Sequence, residues 1–186
     1  MAKPVAPRGS ARDRVLQASL DLFVEQSVGS TSMQMIADRL GVSKPAVYYQ
    51  FRSRDDIVIA LVEPMFDDIE RVIKIAQAMP TQLGKRDAMV SGVVELAIRY
   101  RRLTFLFYDR AVEHAVRSRK EFMAVSGEAS AILHGPDPDA TARVITTALM
   151  AGTFTAAADP ELEDIADEEL YEILLAIARR VVGPLT

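Results

Sequence analysis

Within seven residues this chain places an ammonium, two phenols and a carboxamide, in the run Lys44-Pro-Ala-Val-Tyr-Tyr-Gln50. These groups suit binding more than bond-making. Gln50 can donate and accept together, as a base edge or a phosphate requires. Lys44 is a ligand for phosphate or guanine, and Tyr48 and Tyr49 offer hydroxyls to phosphate and rings to sugars or methyl groups. Pro45 and Ala46 are small enough to sit against a thymine methyl. Taken singly, each residue also suits ordinary packing; it is their joint occurrence that points to a duplex.

The residue types needed for most catalysis are missing. With no Cys there is no thiolate nucleophile, no disulfide framework and no thiolate metal site. His114 and His134 are too few for a multi-histidine metal centre. The sequence holds no G-x-S-x-G elbow and no phosphate loop. The acids between 159 and 172 fit a loop and an acidic helix start better than a catalytic carboxylate pair. The expectation is therefore no catalytic residue, no metal and no cofactor.

Positioning the 44–50 run requires helices, and the periodicity supplies them. Ser10 offers a cap to a helix over 11–26, with Asp13 at the third helical position, close to a capping-box pattern. Ser32 caps a short helix over 33–40 that Gly41 ends. Two residues later Ser43 can cap a third helix over 44–50, where Pro45 is tolerated in the first turn. Short helix, Gly-containing turn, short helix is a helix-turn-helix pattern, although a plain helical hairpin reads the same way. On a wheel, Val47 and Phe51 fall together, flanked by Lys44 and Tyr48, and pack inward. Pro45, Ala46, Tyr49 and Gln50 face out, toward a groove about 12 Å wide. The free N–H groups that start helices 2 and 4, with Ser32 and Ser53, can hold phosphates.

Beyond residue 53 the pattern stays helical. Ser53 and Asp56 open a fourth helix to about 78, bent near Pro64. Further helices are expected near 83–101, 103–115 and 118–132. Asp137 can cap an eighth that runs to about 158, and a ninth spans 167–182, stopped by Gly183-Pro184. No period-2 strand pattern occurs. The fold class is all-α, about nine helices in all: an N-terminal three-helix domain over 1–54, preceded by a basic arm over 1–9, and a larger helical bundle over 55–186. No apolar run approaches the ~18–20 residues that span a bilayer, and the N-terminus has no apolar leader core. A soluble cytoplasmic protein without a membrane partner is the expectation.

The net charge of −4 seems to disfavour nucleic acid. Yet residues 1–54 carry eight Lys and Arg against four Asp and Glu, for +4, and the remainder carries −8. A basic head joins an acidic body, an asymmetry that suits nucleic-acid contact at one end.

The stretch Thr31-Ser-Met-Gln-Met-Ile-Ala-Asp-Arg-Leu-Gly41-Val-Ser-Lys-Pro-Ala-Val-Tyr-Tyr-Gln-Phe51-Arg-Ser-Arg-Asp-Asp-Ile57, with Leu16-Gln-Ala-Ser-Leu-Asp-Leu-Phe23 upstream, resembles the DNA-binding domain of the TetR family of bacterial repressors. The likeness covers about residues 10–60. It implies base and phosphate contacts by Ser32, Gln34, Ser43, Lys44, Pro45, Ala46, Tyr48, Tyr49, Gln50 and Arg54. Two positions depart from the family's habit. Ser27 stands where Gly is common, so Gly29 is expected to supply the left-handed residue two positions later. Arg54 stands where Lys is common and is expected to keep a phosphate contact.

The resemblance also implies that the last two helices pair with those of a second copy in a four-helix bundle, giving a homodimer that reads a palindromic operator in double-stranded DNA. Ala148, Gly152 and Ala156 form a small-residue stripe, and Leu170, Ile173, Leu174, Ile177 and Val181 an apolar one. On composition alone these could equally form an internal hairpin. By position only, the middle helices resemble an effector domain for a small, largely apolar molecule. Candidate pocket residues are Met65, Phe66, Met89, Val93, Leu96, Tyr100, Phe107, Tyr108, His114, Met150 and Phe154, each of which suits core packing as well. The implied function is a ligand-responsive transcriptional repressor. The rival readings are a helix-turn-helix interaction protein without an effector, and an enzyme.

Overall fold

The computed structural model describes residues 10–135 and 137–182. The arm over 1–9 and the Gly183-Pro184 stop lie outside them. Among the described residues there is no strand. Nine α-helices follow in order: α1 Ala11–Gln26, α2 Met33–Leu40, α3 Lys44–Gln50, α4 Arg54–Gln77, α5 Gln82–Arg99, α6 Arg110–Arg117, α7 Lys120–His134, α8 Ala140–Ala157 and α9 Asp167–Val182. Short 3-10 segments occupy Arg101–Tyr108 and Pro160–Leu162. None of these helices is long and apolar enough to cross a membrane.

The caps explain the early boundaries. Ser10 and Asp13 form a reciprocal capping box. Ser32 Oγ accepts from the Met35 N–H, and Ser53 Oγ from the Asp56 N–H. Gly41 adopts a left-handed conformation (φ 64°) in which the Val42 N–H reaches back to the Ala37 carbonyl. A side chain is strongly disfavoured at such a φ, so Gly is what allows α2 to stop with only three residues left before α3 begins. Ser43 occupies the cap position of α3, but its hydroxyl makes no capping bond. Pro64 sits inside α4 without ending it.

Two boundaries differ from expectation. The helix expected over 103–115 is a 3-10 segment followed by α6, broken at Asp109. That residue's Oδ1 accepts from the Ala111 N–H at 2.8 Å, and its Oδ2 from the Val28 N–H at 3.0 Å and the Gly29 N–H at 3.4 Å. A local cap on Ala111 and a non-local bond to the α1–α2 loop thus meet at the break. Asp139, not Asp137, caps α8, accepting from the Ala142 N–H at 2.7 Å. Starting there places Ala142, Thr146, Leu149, Thr153 and Ala157 on the buried face.

The chain divides into two compact units. The first runs to Val62 and takes in Leu106–Ala115; the second holds Glu63–Phe105 and Val116 onward. The boundary falls inside α4 rather than after residue 54, because Ile57, Val58 and Val62 are buried with the three-helix core. In the first unit α1, α2 and α3 pack on one another around Phe23, Ile36, Ala37 and Val47. In the second, α5 packs on α7, α8 and α9 around Met89, Val94, Ala97 and Leu133. A Cβ at Gly92 would lie 2.3 Å from Val72 Cγ1, so glycine there permits α5 to approach α4 closely.

The α1–α2 loop holds an unexpected strain. Ser27, not Gly29, carries the positive φ, at φ 77° and ψ 158°. This region is essentially restricted to glycine and costs on the order of 1–3 kcal/mol. Ser27 Oγ gives back a bond to Ser30 Oγ at 3.2 Å, a modest compensation. Ser27→Gly is expected to raise stability by on the order of 1 kcal/mol, read as a higher urea midpoint with an unchanged slope. A lower midpoint would contradict the strain.

Candidate nucleic-acid interface and effector cavity

The helix-turn-helix unit is built to present α3. Val47 and Phe51 anchor it, at 0% and 4% exposure. Tyr49 is 86% exposed and Tyr48 44%. Ser32, Gln34, Ser43, Lys44, Pro45 and Ala46 are exposed as well, and Gln50 is half-buried. The Lys44 ammonium lies 5.9 Å from the Tyr48 ring centroid, an arrangement that holds both on one edge of the helix. Gln34 donates to Asp38 Oδ1 at 2.7 Å, so part of its amide is engaged within its own helix. A cleft of about 310 Å³ runs beside α3, lined by Ala11, Arg14, Val15, Leu40, Val42, Ala46, Tyr49 and Gln50. It adds Arg14 to the candidate residues. Sequence reading passed over Arg14 because it belongs to α1, and only the packing of α1 on α3 brings it beside Tyr49 and Gln50.

Arg54 departs from its expected role. Its Nη1 donates to the carbonyls of Val28 at 2.8 Å, Gly29 at 2.9 Å and Thr31 at 3.3 Å. The guanidinium thus ties the α1–α2 loop to the start of α4. Asp109 grips the amides of the same loop from the other side of the peptide units. Opposite charges hold opposite ends of the loop's peptide dipoles, so its shape is fixed despite the strained Ser27.

In the second unit a cavity of about 400 Å³ lies among α5, α7 and α8, and Ile69 of α4 also lines it. Of the expected pocket residues, Met89, Val93, Leu96, Met150 and Phe154 line it. The others lie elsewhere. Met65 and Phe66 are buried, and Phe66 stacks on Phe122 with ring centroids 4.1 Å apart. Phe107, Tyr108 and His114 belong to the first unit, where Tyr108 is 69% exposed and His114 is also exposed. Sequence reading missed Ser126, Ser130, His134, Thr146 and Thr147, which supply the cavity's polar lining. The spacing of four between Ser126, Ser130 and His134 was the available signal, since it puts all three on one face of a helix.

Tyr100 also departs from the cavity. Its hydroxyl donates to Asp68 Oδ2 at 2.7 Å. Arg99 Nη1 donates to the same oxygen at 3.1 Å, and Arg71 pairs with the other. The Tyr100 hydrogen bond above all, with Arg99 and Arg71 adding to it, holds the nearly buried Asp68 carboxyl below its ordinary 3.8. Burial first, then the bond to Asp68, pushes the Tyr100 phenol from 10.0 up to about 12. A raised phenol stabilises the fold below pH 10 and loses that contribution as pH climbs toward 12. The depressed carboxyl stabilises it above 3.8 and loses its share as pH falls. Tyr100→Phe is expected to cost about 1.5–3 kcal/mol at neutral pH, the range for a hydrogen bond to a charged group. It should also flatten the decline in stability between pH 10 and 12. Denaturant titrations at pH 7, 10 and 12 test this, and a decline as steep as in the wild type would refute it.

The two apolar stripes are resolved by burial. Leu170 and Leu174 lie in the chain's own core, at 2% and 7% exposure, so neither is free to face a second copy. Ile173, Ile177 and Val181 remain exposed at 42%, 49% and 45%. On α8, Ala148 and Gly152 are exposed, Ala156 half-buried, and Val144 67% exposed. A Cβ placed on Gly152 meets nothing within 4 Å. The stripe splits because α9 turns one side to α5 and α8 and leaves the other open.

Comparisons with known proteins bear on this arrangement. Residues 15–61 match the family model described as bacterial regulatory proteins, tetR family. The transcriptional activator FasR of Mycolicibacterium smegmatis is 32% identical over 87 residues, 47% of this chain and 39% of its own length. The class A tetracycline repressor protein of Escherichia coli is 41% identical over 51 residues, 27% and 24% of the two lengths. The match thus spans about two fifths or less of these curated relatives. The structure of the ketosteroid transcriptional regulator KstR2 of Mycobacterium tuberculosis superposes with a TM-score of 0.71 over 97% of both chains, at 16% identity. Family model and relatives agree on the N-terminal part of the chain: residues 15–61 form a segment of the tetR family of bacterial regulatory proteins, and the chain as a whole shares the fold of KstR2.

Proposed function

We propose that this protein is a ligand-responsive transcriptional regulator, a repressor that binds a palindromic operator as a homodimer and is released by a small molecule. The observation that carries the reading is α3 itself. Val47 and Phe51 are sunk in the core while Lys44, Tyr48 and Tyr49 stand exposed. A helix anchored in this way offers its outer face to a major groove. Ser32, Gln34, Ser43, Pro45, Ala46 and Gln50 complete the contacts; Arg54 serves by fixing the loop. The functional division is a DNA-binding domain over 1–54 and an effector and dimer domain over 55–186, in a cytoplasmic protein that is not an enzyme.

The exposed apolar faces of α8 and α9 support the dimer. Val144, Ile173, Ile177 and Val181 would leave water on pairing, and the open space at Gly152 lets a second helix approach. The cavity supports the effector. Its volume of about 400 Å³ and mostly apolar wall are those of a small-molecule site. An effector releases DNA only by binding the operator-incompetent state more tightly. The chain passes between the two units at residues 62–63, 105–106 and 115–116, and these crossings are the covalent routes for coupling. Fluorescence anisotropy with duplex fragments tests the reading. Binding should weaken steeply with salt; salt-insensitive or absent binding would leave an interaction protein instead.

A further inference from the structure

The cavity among α5, α7 and α8 has an uneven wall, and the unevenness specifies a ligand. None of its fourteen lining residues is Asp, Glu, Lys or Arg. An ion placed inside would lose its hydration without meeting a counter-charge, which disfavours carboxylates, phosphates and amines. The α5 side is apolar, with Met89, Val93 and Leu96, and Met150 adds a side chain that adapts to irregular shapes.

One polar atom stands out against this background. His134 Nε2 is buried and has no hydrogen-bond partner. A buried ring nitrogen is normally paired, and here the cavity is the space from which a partner can come. His134 lies at the end of α7, and Thr146 of α8 lines the same cavity. Thr147 is already spent, donating to the Arg143 carbonyl at 2.9 Å. Ser126 and Ser130 continue the polar strip along α7.

We propose that this cavity takes an uncharged, predominantly apolar molecule with a single hydrogen-bonding oxygen, a ketone or an alcohol, received by His134 Nε2. The assignment rests on the ligand-responsive reading above and narrows it to one chemical class.

Isothermal titration calorimetry of the full chain with 2-decanone, 1-decanol and decanoate at pH 8 tests it. The two neutral probes should bind, and decanoate at least about tenfold more weakly. His134→Leu should weaken 2-decanone about tenfold, and His134→Gln, which keeps a hydrogen-bonding group, should recover part of the loss. Circular dichroism of both variants separates a missing hydrogen bond from an unfolded chain. Decanoate binding as tightly as the ketone, 2-decanone affinity unchanged in a folded His134→Leu, or no binding of either neutral probe would overturn the assignment. The two readings fail separately. If 2-decanone binds with these preferences but leaves DNA affinity unchanged at saturation, the ligand-responsive reading falls and the site stands. If another compound releases DNA equally from wild type and His134→Leu, the chemical class falls and the regulatory reading stands.

Discussion

Tyr49→Ala is expected to lower operator affinity by roughly 100-fold or more while leaving the fold intact. At 86% exposure the Tyr49 ring supports no core, so stability should change by no more than about 0.5 kcal/mol. A groove contact is worth about 1–3 kcal/mol, and a two-fold complex forfeits it at both half-sites. Lys44→Ala should act differently. Its ammonium is exposed beside Tyr48, and removing a phosphate ligand lowers the slope of log affinity against log salt by about 0.9 for each phosphate no longer neutralised. Anisotropy titrations at several salt concentrations distinguish the two. Wild-type affinity in both variants would remove α3 from the interface.

Ile177→Glu is expected to yield a folded monomer with at least 100-fold weaker operator binding. Ile177 is 49% exposed on α9, so a carboxylate there is tolerated in the single subunit. Across a two-fold interface it would bring two charges into an apolar seam, at a cost of several kcal/mol. A monomer also loses the linkage of two half-sites. Sedimentation measures the mass, and the same anisotropy assay the binding. Leu174→Glu supplies the contrast: Leu174 is 7% exposed in the core, so that variant should lose stability in the subunit itself. A dimer that persists with Ile177→Glu would place the interface elsewhere.

What the sequence disclosed is what local chemistry controls. Ser10, Ser32, Ser53 and Gly41 set helix ends through bonds spanning three to five residues, so their positions are readable from spacing. The inward turn of Val47 follows from helical period alone. The errors share another physics. Asp109, at the break before α6, bonds a loop about eighty residues away. Arg54 spends its guanidinium on carbonyls 23 to 26 residues upstream. The apolar stripe of α9 is wider than one contact, and only its packing on α5 and α8 decides that Leu170 and Leu174 go inward while Ile173 and Ile177 do not. His134, which closes α7, reads in sequence as the start of the Gly135-Pro136 loop. Met89, Val93 and Leu96 were legible as a cavity wall; the polar strip facing it was not.

The charge split takes on a physical reading in this light. A basic head can hold phosphates while an acidic body, with −8 against +4, limits nonspecific adhesion to DNA. The proposed regulation stands or falls on two copies of α3 reading one symmetric site. Selection of binding sequences from random duplexes by the purified protein, followed by sizing of the complex, puts that arrangement to the test. An enriched palindrome bound by two subunits is expected, with half-site centres one helical turn apart, about 34–36 Å, or a multiple of it. Recovery of no motif, or of an asymmetric one bound by a single subunit, would contradict it.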